Sequence, residues 1–124
     1  MRYIFIVKLL SILTITLLLP NTSLAGPCAT TIANATTNQL DCADDDELTV
    51  TTLGSISYND HQAVNLEDES GVQITNNGTI ETENGTSKNK AINAVSSLNT
   101  TITNNGTINS DNNSAVYLDY AENV

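Results

Sequence analysis

Tryptophan is absent from this chain and Phe occurs once, so that even with four Tyr the aromatic share is 4%. A core built around large rings is therefore excluded, and any core must come from aliphatic residues at close, regular spacing. Cations are nearly as scarce: four Lys and Arg stand against fourteen Asp and Glu. A surface of that sign repels phosphate backbones and anionic headgroups, which disfavours nucleic acid and membrane surfaces as partners. Histidine occurs once, as His61, in a polar turn between Asp60 and Gln62 with no Ser or Cys nucleophile near it. Cys28 and Cys42 are the two cysteines. One His and two Cys lack the spacing of a metal site, so neither metal nor cofactor is expected, and no residue is assigned a catalytic role.

What is present begins with an address. Arg2 and Lys8 flank a short segment before the apolar run Leu9–Leu19, which Pro20 breaks. Ser23-Leu24-Ala25 supplies small residues at the two positions a signal peptidase reads, which predicts cleavage between Ala25 and Gly26. The run is short for a bilayer span, so residues 1–25 read as a signal peptide and the mature chain as having no stable membrane insertion. Export to the periplasm, the cell surface or the extracellular space follows. In "LAGPC" Pro27 separates Cys28 from the cleavage point, so no lipid anchor is expected. Cleavage removes Arg2 and Lys8 and leaves Lys88 and Lys90 against all fourteen acids, a net charge of −12. Cys28 and Cys42 are an even pair in an exported chain and are expected to be bonded, with two free thiols as the alternative.

"ITNNGTI" occurs twice, at Ile74–Ile80 and Ile102–Ile108. Gly54, Gly78 and Gly106 anchor three copies of a longer phrase, each with a branched apolar residue four positions earlier (Val50, Ile74, Ile102) and Ile two positions later (Ile56, Ile80, Ile108). A second phrase follows in each copy, beginning Ala63-Val64, Ala91-Ile92 and Ala115-Val116. The glycines are 24 and then 28 apart, the alanines 28 and then 24, so one four-residue insertion near Glu83–Lys90 accounts for both. Apolar and polar residues alternate within each copy, the period of a strand. Three short strands per copy of some two dozen residues is the signature of a β-solenoid.

The expected fold is therefore all-β: a short right-handed parallel β-helix of about three rungs over 48–124, with 26–47 as an N-terminal cap. Val50, Ile74 and Ile102 should stack in one inward column, Ile56, Ile80 and Ile108 in a second, and Val64, Ile92 and Val116 in a third. Ile80 and Ile108 should both be almost fully buried. Gly54, Gly78 and Gly106 are expected at turns with positive φ. Asn76 and Asn104 should form a side-chain ladder that Thr52 and Leu53 do not continue into the first rung. The last strands, Thr100–Ile102, Thr107–Asn109 and Val116–Leu118, should leave one edge unpaired, a template for self-association.

These residues resemble the passenger region of bacterial autotransporters, whose β-helices carry degenerate copies of "apolar-Thr-Asn-x-Gly-Thr-Ile" followed by "Ala-Ile-x-apolar". The resemblance covers Leu48–Val124. It implies a non-catalytic structural or adhesive module at the surface of a Gram-negative cell, with a host surface or further copies of itself as partners. It also implies a C-terminal outer-membrane β-barrel in a full-length relative, which these 124 residues lack.

Other readings attach to particular residues. The acidic run Asp41–Glu47 lacks the alternation and central Gly of a calcium loop and reads as a solvated edge, as does Glu67–Ser70. Thr49-x-Thr51 and Thr101-x-Thr103 resemble the Thr ladders of ice-binding solenoids, although the middle copy has Gln73-x-Thr75. Tyr58, Tyr117 and Tyr120 could stack on a carbohydrate, or merely flank strands. Asn77, Asn84, Asn99, Asn105 and Asn112 match the glycosylation sequon as by-products of Asn/Thr-rich turns. The product of a truncated gene with no independent function is the remaining alternative.

Overall fold

The computed structural model describes residues 26–83 and 89–124. Their thirteen short strands form three parallel sheets, and no helix occurs among them. One sheet contains β1 (Gly26–Pro27), β4 (Leu40–Asp41), β7 (Val64–Asn65), β10 (Ile92–Val95) and β13 (Val116–Asp119). The second contains β2 (Thr30–Ile32), β5 (Glu47–Val50), β8 (Gln73–Asn76) and β11 (Thr101–Asn104). The third contains β3 (Ala35–Thr36), β6 (Ser55–Ser57), β9 (Thr79–Thr82) and β12 (Thr107–Ser110). We call these sheets A, B and C. Each coil of the chain visits B, then C, then A, so every strand pairs with its counterpart one coil away: the architecture is a parallel β-solenoid.

Alternation decides which side chains meet inside. Leu48, Ile56 and Val64 of the first repeat are buried, as are Ile74, Ile80 and Ile92 of the second. Each such burial is worth roughly 1.5–3 kcal/mol, and none is available to a coil on its own, because its neighbours above and below provide most of the cover. The segment expected as a cap, 26–47, covers the first repeat by pairing with it as a further, shorter coil: Thr30↔Leu48, Ala35↔Ser55 and Leu40↔Val64. Cys28 and Cys42 form a disulfide within that coil and are both buried. Closing a loop of that separation contributes about 3 kcal/mol.

The register corrects one expected column. Ile74 pairs with Leu48 and not with Val50; Val50 stands over Asn76, which stands over Asn104. The Asn position of the first repeat is thus held by Val50, not by Thr52. Thr52 and Leu53 instead turn outward between β5 and β6, leaving Leu53 85% exposed. A shift of two residues keeps every side chain on its own face, so the alternation is equally satisfied by either register. The columns Ile56–Ile80–Ile108 and Val64–Ile92–Val116 pair as expected. Those pairs also locate the insertion between Ile80 and Ile92.

The glycines correct a second expectation. Gly54, Gly78 and Gly106 do not have positive φ. They stack directly, and a Cβ on Gly78 would collide with the carbonyl oxygens of Gly54 and Thr51, one on Gly106 with that of Gly78. Glycine is required here because backbones of successive coils approach too closely for a side chain, not because the chain turns left-handed. Among the described residues the left-handed ones lie at another corner, between sheets A and B. They form two runs, Asp68, Ser96 and Tyr120, then Asp45, Gly71, Asn99 and Asn123. Only one of these seven is glycine.

Ile108 corrects a third. It is partly buried, as are Ile102 and Val116, because the third repeat has a coil on one side only.

Candidate functional site

The inward residues converge on stacking columns, so any site must lie on the outer faces. The outer face of sheet B is the most regular. Thr31, Thr49, Thr75 and Thr103 are in register on four successive strands. Beside them runs a column of Glu47, Gln73 and Thr101. On the other side Asn105 Nδ2 donates to Asn77 Oδ1 at 3.0 Å. Strands of such a ladder repeat every ~4.8 Å, so the face is a flat array of hydroxyls and carboxamides with a single acid, Glu47. The expected Thr-x-Thr pairs are thereby reorganised: the hydroxyl column is unbroken because Thr75, not Gln73, occupies it.

Sheet A carries a denser polar chain. Gln62 Nε2 and Asn93 Nδ2 both donate to Asn65 Oδ1 at 3.0 Å. Lys90 Nζ donates to Asn93 Oδ1 at 3.4 Å and lies 3.8 Å from the centroid of the Tyr117 ring. The Tyr117 hydroxyl donates to Asp119 Oδ2 at 3.3 Å, and the Asp119 charge holds that phenol above its ordinary pKa. Lys90 is the one Lys or Arg among the described residues, and it is spent on this contact. Tyr120 is exposed beside Tyr117, whereas Tyr58 packs against the core at the end of β6. The structure therefore brings together two of the three tyrosines.

The acidic corner is held by backbone. Asp44 Oδ1 accepts from Ser70 N at 2.7 Å, and Asp46 Oδ2 accepts from Ala43 N at 2.9 Å. Glu69 sits against them, and its carboxyl is held above the ordinary range by desolvation first and by the neighbouring Asp44 second. Among the described residues no group of three or more His, Cys, Asp or Glu is arranged to hold a metal ion. His61 is exposed.

The Asn ladder lies inside, between sheets B and C. Asn76 is buried; its Nδ2 donates to Asn104 Oδ1 at 2.8 Å and to Thr107 O at 2.9 Å, and its Oδ1 accepts from Gly78 N at 3.1 Å. Sequence reading found this ladder but missed Asn65–Asn93 on sheet A, whose signal was the Asn at the third position of both Ala-apolar-Asn phrases. Residues 1–25, Asn84 and Lys88 lie outside the described residues. No known family model, characterised protein or solved structure matches the chain.

Proposed function

We propose that this chain is a non-catalytic, exported β-solenoid module that serves a structural or adhesive role at a Gram-negative cell surface, as autotransporter passengers do. The observation that supports it most is where the repetition goes. The inward residues shared by the three copies stack one coil on the next, through the Ile and Gly columns, and the Asn ladder joins the last two copies. A sequence repeated for stacking extends a rigid surface. The acidic, cation-poor exterior fits a partner that is neither nucleic acid nor an anionic membrane. Residues 1–25 supply the export signal in this reading.

The test is export followed by adhesion. The full chain carrying a C-terminal reporter that folds only outside the cytoplasm should be active in a Gram-negative host, with Gly26 as the new N-terminus. Beads coated with residues 26–124 should adhere to cultured epithelial cells in proportion to coating density. Retention in the cytoplasm overturns the proposal, and adhesion equal to albumin-coated beads removes its adhesive half.

The unbroken Thr column favours one second reading, a face that orders water as ice-binding solenoids do. Thermal hysteresis that Thr49→Lys and Thr75→Lys together abolish would establish it. Its absence in the parent chain removes this reading.

A further inference from the structure

The chain contains Asn77-Gly78 and Asn105-Gly106 inside two identical heptapeptides, so their intrinsic chemistry is the same and any difference in reactivity belongs to the fold. Asparagine before glycine is open to attack on its own side chain, because the following backbone nitrogen carries no neighbouring Cβ to hinder it. The Gly N gives up its proton and bonds to Asn Cγ, the Cγ–Nδ2 bond breaks, and ammonia leaves with that proton. The resulting succinimide is opened by water at either carbonyl, giving Asp or isoaspartate. No oxidant or reductant takes part.

At the upper site the attacking nitrogen and the glycine that carries it are restrained. Gly78 N donates to the buried Asn76 Oδ1 at 3.1 Å. Gly78 is enclosed between the backbone of Gly54 and Thr51 above and Gly106 below, and its carbonyl accepts from Thr107 N at 2.8 Å. Asn77 is partly buried; the bond its Oδ1 accepts from Asn105 Nδ2 ties both sites alike, so the difference between them lies in burial and in the Gly position. At the lower site the corresponding bond, Gly106 N to Asn104 Oδ1, is longer at 3.3 Å, and Asn104, Asn105 and Gly106 are all exposed. Gly106 meets a coil on one side only.

We propose that Asn105 is a site of spontaneous, succinimide-mediated deamidation from which its sequence twin Asn77 is protected by the coils on either side of it. The consequence is local to the third repeat. Conversion replaces the Nδ2 donor of the Asn105–Asn77 ladder with a carboxylate oxygen facing another oxygen. An isoaspartate also lengthens the backbone in the short connection between β11 and β12, whose registers are both fixed by the coil above.

The experiment uses residues 26–124 with the disulfide intact, incubated in mildly alkaline buffer and digested with trypsin and a Glu-specific protease. Asn77 then falls in Ser70–Glu81 and Asn105 in Ala91–Glu122, with Asn84-Gly85 in a separate peptide. Tandem mass spectrometry locates the converted residue. In the folded chain Asn105 should convert roughly tenfold faster than Asn77 or more, since a site that must open first reacts in proportion to its open population. In the reduced, urea-unfolded chain the two rates should be equal. Equal rates in the folded chain, faster conversion of Asn77, or unequal rates after unfolding each overturn the proposal.

Discussion

Ile74–Ile80 and Ile102–Ile108 are the same seven residues in two situations. In the upper copy Ile74 is 1% exposed, and Ile80 and Asn76 are fully covered. In the lower copy both Ile are only partly buried and the Asn is exposed. Their backbones pair residue for residue, so strand formation is the same in both. Burial in a solenoid belongs to a position in the stack and not to the residue, because each coil obtains its apolar cover from both neighbours. Identical substitutions in the two copies should therefore have unequal effects.

The largest contrast should come from Ile80→Asn and Ile108→Asn. The first places an amide in a dry column without partners and should cost several kcal/mol, about 3–5, in urea unfolding. The second can turn its amide to water and should cost less than half as much. Equal costs would mean that Ile108 is covered in solution, for instance by another chain.

Next come Gly78→Ala and Gly106→Ala. Gly78 meets backbone above and below, and a Cβ there should cost about 3 kcal/mol, at the upper end of overpacking penalties. Gly106 can shift downward into open space, and about 1 kcal/mol is expected there. If both variants were neutral, the stacked-glycine account would fail.

Asn76→Ala and Asn104→Ala sharpen the comparison for polar groups. Removing the buried Asn76 leaves the partly buried Gly78 N without its side-chain acceptor and should cost about 1–3 kcal/mol. Asn104→Ala leaves Asn76 Nδ2 its second acceptor, Thr107 O, and should cost under about 1 kcal/mol. Thermal unfolding of the two variants at one pH suffices to rank them.

The smallest effect concerns the corner where Glu69 lies one coil above the buried Ser97, whose Oγ donates to Leu66 O at 2.6 Å. Glu69 titrates above its ordinary value in the fold, from desolvation and then Asp44, so the folded chain holds the extra proton in that window. Its contribution to stability is present below the ordinary carboxylate value and is lost as pH rises through the raised one. Glu69→Gln should therefore match the parent in acid and be slightly more stable at neutral pH, by less than about 0.5 kcal/mol. A variant less stable than the parent at neutral pH would contradict this.

Much of the fold was legible because its signals are local. The alternation at Leu48–Val50, the recurrence of ITNNGTI and the spacing of 24 and 28 residues specify strands, turns and a stacking period without knowledge of any partner. The Asn76–Asn104 ladder was legible for the same reason. The candidate surface was legible only in part. Thr49 and Thr103 stood out in sequence, but the unbroken column needed Thr75 and Thr31 to be placed, and the Lys90–Tyr117 contact joins positions in different coils.

By itself, then, the sequence determined the element type, the order of strands around each coil and the residues that face inward, since all three follow from a period of two and from identical side chains stacking on each other. The tertiary structure alone decided three things. It placed Leu48 rather than Val50 over Ile74, because a two-residue slip changes no face and only pairing across a coil selects the register. It made glycine necessary through backbone contact between coils rather than through φ. And it gave two identical heptapeptides different burial, because cover comes from neighbours distant in sequence.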